Sequence, residues 1–155
     1  MSSKNLDLAI SRVLKVPRAA IWQAWKDPEQ FVKWFAPAPV VTISKKHEFY
    51  SGGGFHTSMR LEDGTLMDWD EGCFLQVTEN ERIIFTDALR GGWRPNGSAF
   101  FTAVITLEDH PEGTLYAATA LHTSPSDCCR HAEMGFMDGW GKSIEQLGQV
   151  AGTLI

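Results

Sequence analysis

Residues 125–151 read PSDCCRHAEMGFMDGWGKSIEQLGQVA, and the spacing of apolar side chains in this stretch decides the fold. The opening Pro-Ser-Asp is typical of a helix start. The residues that recur at steps of three or four beyond it are Cys129, Ala132, Phe136, Trp140, Ile144, Leu147 and Ala151. This spacing predicts one long helix to about Ala151 whose apolar stripe packs against another element. The four glycines inside it are unfavourable in a helix, so they indicate close packing or a bend near Trp140.

The middle of the chain predicts the element against which this helix packs. Short apolar runs separated by turn residues such as Asp63-Gly64 and Asn96-Gly97 are typical of strands. These runs span residues 40–49, 55–61, 66–77, 82–88, 98–108 and 114–122. Alternation places Phe55, Thr57, Met59 and Leu61 on one side of their strand, and Phe101, Ala103, Ile105 and Leu107 on one side of theirs. We therefore expect an antiparallel meander with one covered face.

The N-terminal part predicts one strand and two short helices. Alternating residues favour a strand over residues 6–15, and Pro17 suits the start of a helix. Trp22 and Trp25 share a face of that helix, and a second short helix ends near Pro37. These helices would close one end of the sheet.

Together these elements predict an α+β fold. A curved antiparallel sheet of about seven strands would grip the long C-terminal helix, because the sheet is the only predicted element with an apolar face of matching extent. A length of 155 residues suits one domain, so residues 1–155 are expected to form a single domain.

Composition excludes several classes of partner. Lys and Arg number 14 against 19 Asp and Glu, a net charge of −5 with no basic stripe for nucleic acid. The most apolar stretch, 99–107, is far shorter than the roughly 20 residues of a membrane-spanning helix. No export signal is visible, and adjacent Cys128 and Cys129 are badly placed to bridge. We expect a cytoplasmic protein with reduced thiols.

Four segments together resemble one family. They are Asp27-Pro28 with Lys33-Trp34-Phe35-Ala36-Pro37; Gly53-Gly54-Phe55 with Met59 and Gly64; Gly72-Cys73-Phe74 with Arg82-Ile83-Ile84-Phe85-Thr86; and Met134-Gly135-Phe136 with Gly139-Trp140 and Leu147. In order, these are similar to homologues of the activator of heat-shock-protein-90 ATPase, within the SRPBCC or START-like helix-grip superfamily. The resemblance implies one strand, two helices, six strands and a final helix, and a cavity between helix and sheet.

The resemblance also frames the expected function. The superfamily includes lipid and sterol carriers, plant hormone receptors, polyketide cyclases and aromatases, and ring-hydroxylase subunits, which share a cavity between helix and sheet. Our first hypothesis is therefore a protein that binds a small hydrophobic ligand of the lipid, polyketide or aromatic class without a cofactor or metal. The side chains expected to line an apolar cavity are Phe55, Met59, Trp69, Phe85, Phe101, Phe136, Met137 and Trp140. The alternative is that these side chains fill the core solidly.

An enzyme acting in the same cavity without a cofactor, of the cyclase, dehydratase or hydrolase kind, is a second hypothesis. Its candidate acid-base residues are His122, Asp68, Asp70 and Glu71, since burial could move their pKa values towards neutrality. A metal site at Cys128, Cys129, His131 and His122 is disfavoured, because the adjacent cysteines diverge by about 100° on a helix.

A third hypothesis is a protein-interaction module, including a chaperone partner, which would need an exposed apolar patch. We expect no direct chaperone activation, because a single 155-residue domain has no room for additional docking regions. A homodimer through a sheet edge or the Trp34-Phe35 end stays open. Residues 90–97 favour a solvated hairpin over a lid that offers Arg94 to an anionic ligand group.

Overall fold

A computed structural model describes residues 5–97 and 99–155. The strands are β1 (Asp7–Leu14), β2 (Val41–His47), β3 (Gly54–Arg60), β4 (Leu66–Asp68), β5 (Gly72–Thr78), β6 (Arg82–Thr86), β7 (Leu89–Arg90), β8 (Arg94–Pro95), β9 (Phe101–His110) and β10 (Gly113–His122). The helices are α1 (Arg18–Lys26), α2 (Pro28–Phe31), α3 (Pro125–Glu133) and α4 (Phe136–Gly152). No helix in the described ranges is long and apolar enough to cross a membrane.

Seven strands form the main path of one curled antiparallel sheet. Their spatial order is β1-β10-β9-β6-β5-β3-β2, and the short strand β4 pairs with β3 beside β5. The strands β7 and β8 form a small separate hairpin, as the turn chemistry of residues 90–97 predicts. The sequence prediction of an α+β helix-grip fold is confirmed.

The C-terminal helix is interrupted, which the sequence prediction of one continuous helix missed. The helix α3 ends at Glu133, and Gly135 has φ 91°, a left-handed conformation that glycine adopts without a Cβ clash. Because α3 and α4 are separate helices, the predicted apolar stripe does not continue through α3. Cys129 and Ala132 are exposed there, whereas Cys128 and His131 are buried.

The helix α4 packs over the sheet and is tied to the segment that follows α2. The amide of Gln146 donates to the carbonyls of Trp34 (3.0 Å) and Ala36 (2.8 Å), and its oxygen accepts from the backbone N–H of Ala38 (2.9 Å). The Ser143 hydroxyl donates to the carbonyl of Phe35 at 2.9 Å. These bonds satisfy backbone groups that would otherwise be buried without partners, and they fix the distance between α4 and the short helices.

Candidate functional site

A pocket lies between α4 and the inner face of the sheet. Its volume is about 420 Å³, within the usual range for small-molecule sites. Seven of the eight residues that the sequence predicts as cavity lining surround it: Phe55, Met59, Trp69, Phe85, Phe101, Phe136 and Trp140. Their contact with a ligand stays a prediction.

The eighth residue, Met137, does not line this pocket. Its side chain is 52% exposed and lies in a surface depression between α4 and β1. Phe136 is buried, and one further residue along a helix turns a side chain by about 100°. Met137 therefore points away from the pocket.

Two exposed apolar side chains mark where the pocket opens to solvent. Trp69 is 47% exposed and Met134 is 69% exposed, yet both line the pocket. Trp69 follows β4, and Met134 occupies the junction between α3 and α4. Among the described residues, none of 88–97 lines the pocket, so the β7–β8 hairpin does not support the lid hypothesis.

Tyr116 and two tryptophans, Trp25 and Trp34, are buried residues of the lining. The indole Nε1 of Trp25 donates to the Tyr116 hydroxyl oxygen at 3.1 Å, and Trp34 Nε1 donates to the Ala24 carbonyl at 2.9 Å. Burial raises the pKa of Tyr116, so this hydroxyl stays protonated. No described residue accepts its proton, which leaves one hydrogen-bond donor available beside the pocket.

Two histidines form a hydrogen-bonded chain behind the pocket wall. The Nδ1 atom of His122 lies 2.8 Å from the carbonyl oxygen of Leu6, and its Nε2 lies 2.8 Å from Nδ1 of His131. A carbonyl only accepts, so His122 carries its proton on Nδ1, and its Nε2 accepts from His131. In the neutral pair, His131 therefore carries its proton on Nδ1 and keeps a free lone pair on Nε2. No described residue bonds to that Nε2.

His131 sits in an aromatic cage and is 6% exposed. Its ring centroid lies 4.9 Å from that of Phe101, 5.2 Å from Phe136 and 5.9 Å from Trp140, and all three residues line the pocket with it. Burial, assisted by repulsion from His122, lowers the pKa of His131 to about 4. The imidazole is therefore neutral at physiological pH and acts as a hydrogen-bond acceptor on the pocket wall.

Asp87 is a second polar member of the lining, and its carboxylate is already engaged. It accepts from the backbone N–H of Phe100 at 2.8 and 3.0 Å and from that of Phe101 at 3.3 Å. Burial raises the pKa of Asp87, while these hydrogen bonds oppose the shift. Its role is to position the start of β9, which presents Phe101 to the pocket.

The structure does not bring the four acid-base candidates together. His122 is buried behind His131 and does not line the pocket, whereas Asp70 is exposed and does. Asp68 is exposed, accepts from Ser58 at 2.6 Å and pairs with Lys45 at 2.9 Å. Glu71 accepts from the backbone of Gly91 at 2.9 Å and pairs with Lys46 at 3.2 Å. Lysine pairing gives Asp68 and Glu71 surface roles away from the pocket.

The cysteines also stay apart. Cys128 is buried and Cys129 is exposed, as the divergence of adjacent helical residues predicts. Within residues 5–97 and 99–155, no three His, Cys, Asp or Glu side chains are grouped as metal ligands. The two histidines do meet, but one nitrogen of each is used in the bond between them.

The lining includes polar residues that were not predicted as site residues, among them His131, Asp87 and Tyr116. The sequence did carry a signal for His131. The predicted strand ends at His122, and only the Ser124-Pro125 turn separates that strand from the helix that carries His131. No comparable signal marked Asp87 or Tyr116, because their environments depend on strands that are distant in sequence.

A curled antiparallel sheet closed by a C-terminal helix, with a pocket between them, defines a helix-grip protein. The family model described as activator of Hsp90 ATPase homolog 1-like protein matches residues 15–152, and the chain belongs to this family. The family resemblance seen in the sequence is thus confirmed.

Solved structures agree with this assignment. A crystal structure of a protein from Nitrosomonas europaea is 37% identical, with a TM-score of 0.92 over 98% of this chain and 97% of that one. A solution structure from Arthrobacter aurescens is 23% identical, with a TM-score of 0.83 over 99% of this chain and 90% of that one. The AHSA1-like protein of Aeromonas hydrophila is 20% identical, with a TM-score of 0.69 over 96% and 94% of the two chains. The last two show similarity of fold alone. No curated protein matches the sequence.

Proposed function

We propose that this protein binds a small, largely apolar molecule, of the aromatic, polyketide or lipid class, in the pocket between α4 and the sheet. The observation that supports the proposal is an apolar pocket of about 420 Å³ with a few polar groups on its wall. Membership of a family whose fold commonly binds hydrophobic ligands also supports it.

Desolvation would supply most of the affinity. Covering about 300 Å² of apolar ligand surface at roughly 25 cal/mol per Å² yields about 7 kcal/mol before the cost of association. We therefore expect dissociation constants in the micromolar range or weaker.

Quenching of tryptophan fluorescence by fatty acids, polyketides and flavonoids tests the proposal. Trp25, Trp34, Trp69 and Trp140 all line the pocket, so a bound molecule should quench saturably. The absence of a saturable response across the panel would contradict the proposal.

Two glycine variants separate binding in the pocket from binding elsewhere. Gly139 lines the pocket, and a Cβ added there meets no heavy atom within 4 Å, so Gly139→Leu should fill the space and weaken binding about tenfold or more. Gly152 lies at the end of the same helix, outside the pocket, where a Cβ would make ordinary contact with Val16 at 3.9 Å. Gly152→Leu should bind as wild type does. If both variants weaken binding equally, the molecule binds outside this pocket.

A cofactor-free enzyme in the same pocket is the second candidate, and the neutral imidazole of His131 on the wall favours it. The test of this candidate is whether the protein converts a bound ligand to a product. If ligands that bind saturably are recovered unchanged after long incubation, binding alone is the function for those molecules.

A further inference from the structure

We propose that the Leu6–His122–His131 chain makes the pocket selective for apolar molecules that carry a hydroxyl group, with the hydroxyl donating to Nε2 of His131. This inference rests on the proposed function and specifies the ligand class for the same site. It concerns one hydrogen bond rather than the apolar contacts that supply general affinity.

The Leu6 carbonyl sets the direction in which protons are donated along the Leu6–His122–His131 hydrogen bonds. The Leu6 carbonyl cannot donate, so Nδ1 of His122 donates to it, and Nε2 of His122 accepts from Nδ1 of His131. This leaves Nε2 as the acceptor of His131, a residue that lines the pocket. The other tautomer of His131 would set two acceptors against each other at 2.8 Å. The available group on His131 is therefore an acceptor, not a donor.

Three other polar groups on this wall already have partners. The Ser143 hydroxyl donates to Phe35, Thr86 accepts from the backbone of Ala88 at 3.1 Å, and Asp87 accepts from two backbone N–H groups. Nε2 of His131 has no partner among the described residues and belongs to a side chain that is 6% exposed. This acceptor would be costly to leave unpaired once a bound ligand covers it.

A ligand of the right shape but without a donor would cover Nε2 and leave it unsatisfied. A hydroxyl in the same place would satisfy it. The expected discrimination between two such ligands is about 5- to 100-fold in dissociation constant.

The test compares two bicyclic molecules of nearly equal size, 2-naphthol and 2-methylnaphthalene, by isothermal titration calorimetry at pH 7. Wild type should bind the naphthol about 5- to 100-fold more tightly. In His131→Phe, which keeps an aromatic ring but removes the acceptor, the two dissociation constants should become similar. His110→Phe, at the end of β9 opposite to Phe101, is the control and should discriminate as wild type does.

His131→Phe leaves Nε2 of His122 without its partner, so a second measurement uses the unmodified chain. In ¹⁵N-labelled wild type, imidazole shifts should report the proton of His131 on Nδ1. The Nε2 signal should move towards that of a hydrogen-bonded nitrogen on addition of 2-naphthol, but not of 2-methylnaphthalene.

Equal affinities for the two molecules in wild type, or a proton of His131 on Nε2, would overturn the selectivity while leaving the proposed function standing. Saturable binding of neither molecule would overturn both. Preference for the naphthol that persists unchanged in His131→Phe would assign the selectivity to another group and overturn the inference.

Discussion

At the scale of single residues, the pocket is an apolar space with a few groups whose hydrogen bonds fix their protonation. Tyr116 accepts from Trp25, and His131 donates to His122. Each side chain therefore keeps one hydrogen-bonding group without a partner among the described residues, a donor on Tyr116 and an acceptor on His131. Sequence reasoning identified the aromatic lining but not these two roles, because each role depends on a partner 91 or 9 residues away.

Removing the Tyr116 hydroxyl should destabilise the protein. Tyr116→Phe leaves the buried indole N–H of Trp25 without an acceptor, so we expect the free energy of unfolding to fall by about 1–3 kcal/mol in urea denaturation. Tyr50→Phe is the matched control, since Tyr50 is 56% exposed, and its effect should be close to zero. Equal effects would show that the Trp25–Tyr116 bond contributes little.

Acid should destabilise the protein through its buried histidines. The pKa of His131 is lowered to about 4 and that of His47 is also lowered, in both cases chiefly by burial. Below about pH 6.5, these histidines are therefore protonated in the unfolded chain but stay neutral in the folded protein. The free energy of unfolding consequently falls as the pH drops from about 6.5 towards 4.

His131→Phe should reduce this loss, by on the order of 1–3 kcal/mol between pH 7 and pH 4, measured by urea denaturation across that range. The raised pKa of Asp87 acts in the opposite direction but is present in both proteins. His110→Phe should leave the profile unchanged. Identical pH profiles for wild type and His131→Phe would contradict the assigned shift.

At the scale of elements, the junction between α3 and α4 shapes the pocket. Gly135 breaks the helix, so that α3 places His131 and α4 places Phe136 and Trp140 around one space. Gly135→Ala should lower the free energy of unfolding by about 1–2 kcal/mol, because a Cβ there meets no neighbour but φ is 91°. Gly139→Ala, without a positive φ, should instead be neutral or stabilising by up to about 1 kcal/mol. Equal changes in urea denaturation would show that the left-handed conformation is not what requires glycine at this junction.

The strands and helices could largely be predicted from the sequence. Apolar residues repeat every two residues in a strand and every three to four in a helix, and the repeat shows which face is buried. The break at Gly135 could not be predicted, because an isolated glycine is also tolerated inside a helix. The neighbouring apolar residues keep an approximately helical spacing on both sides of it. That Met137 lies outside the pocket could not be predicted for a related reason, since both Phe136 and Met137 are apolar and only Phe136 is buried.

At the scale of the whole molecule, α4 is held over the sheet by hydrogen bonds at one side of the pocket. Gln146→Leu would leave two carbonyls and one N–H without partners. We expect unfolding free energy to fall by about 2–4 kcal/mol in urea denaturation. Gln149→Leu on the same helix is the control and should change stability by less than about 0.5 kcal/mol. Similar losses in the two variants would contradict this role for Gln146.

The measurement that tests the central claim most directly is a crystal structure of the wild-type protein grown with 2-naphthol. We expect the bicyclic ring between α4 and the sheet, with its hydroxyl oxygen about 2.8 Å from Nε2 of His131. Crystals in which Phe101, Phe136 and Trp140 close the space, with naphthol bound only on the outer surface, would contradict the account.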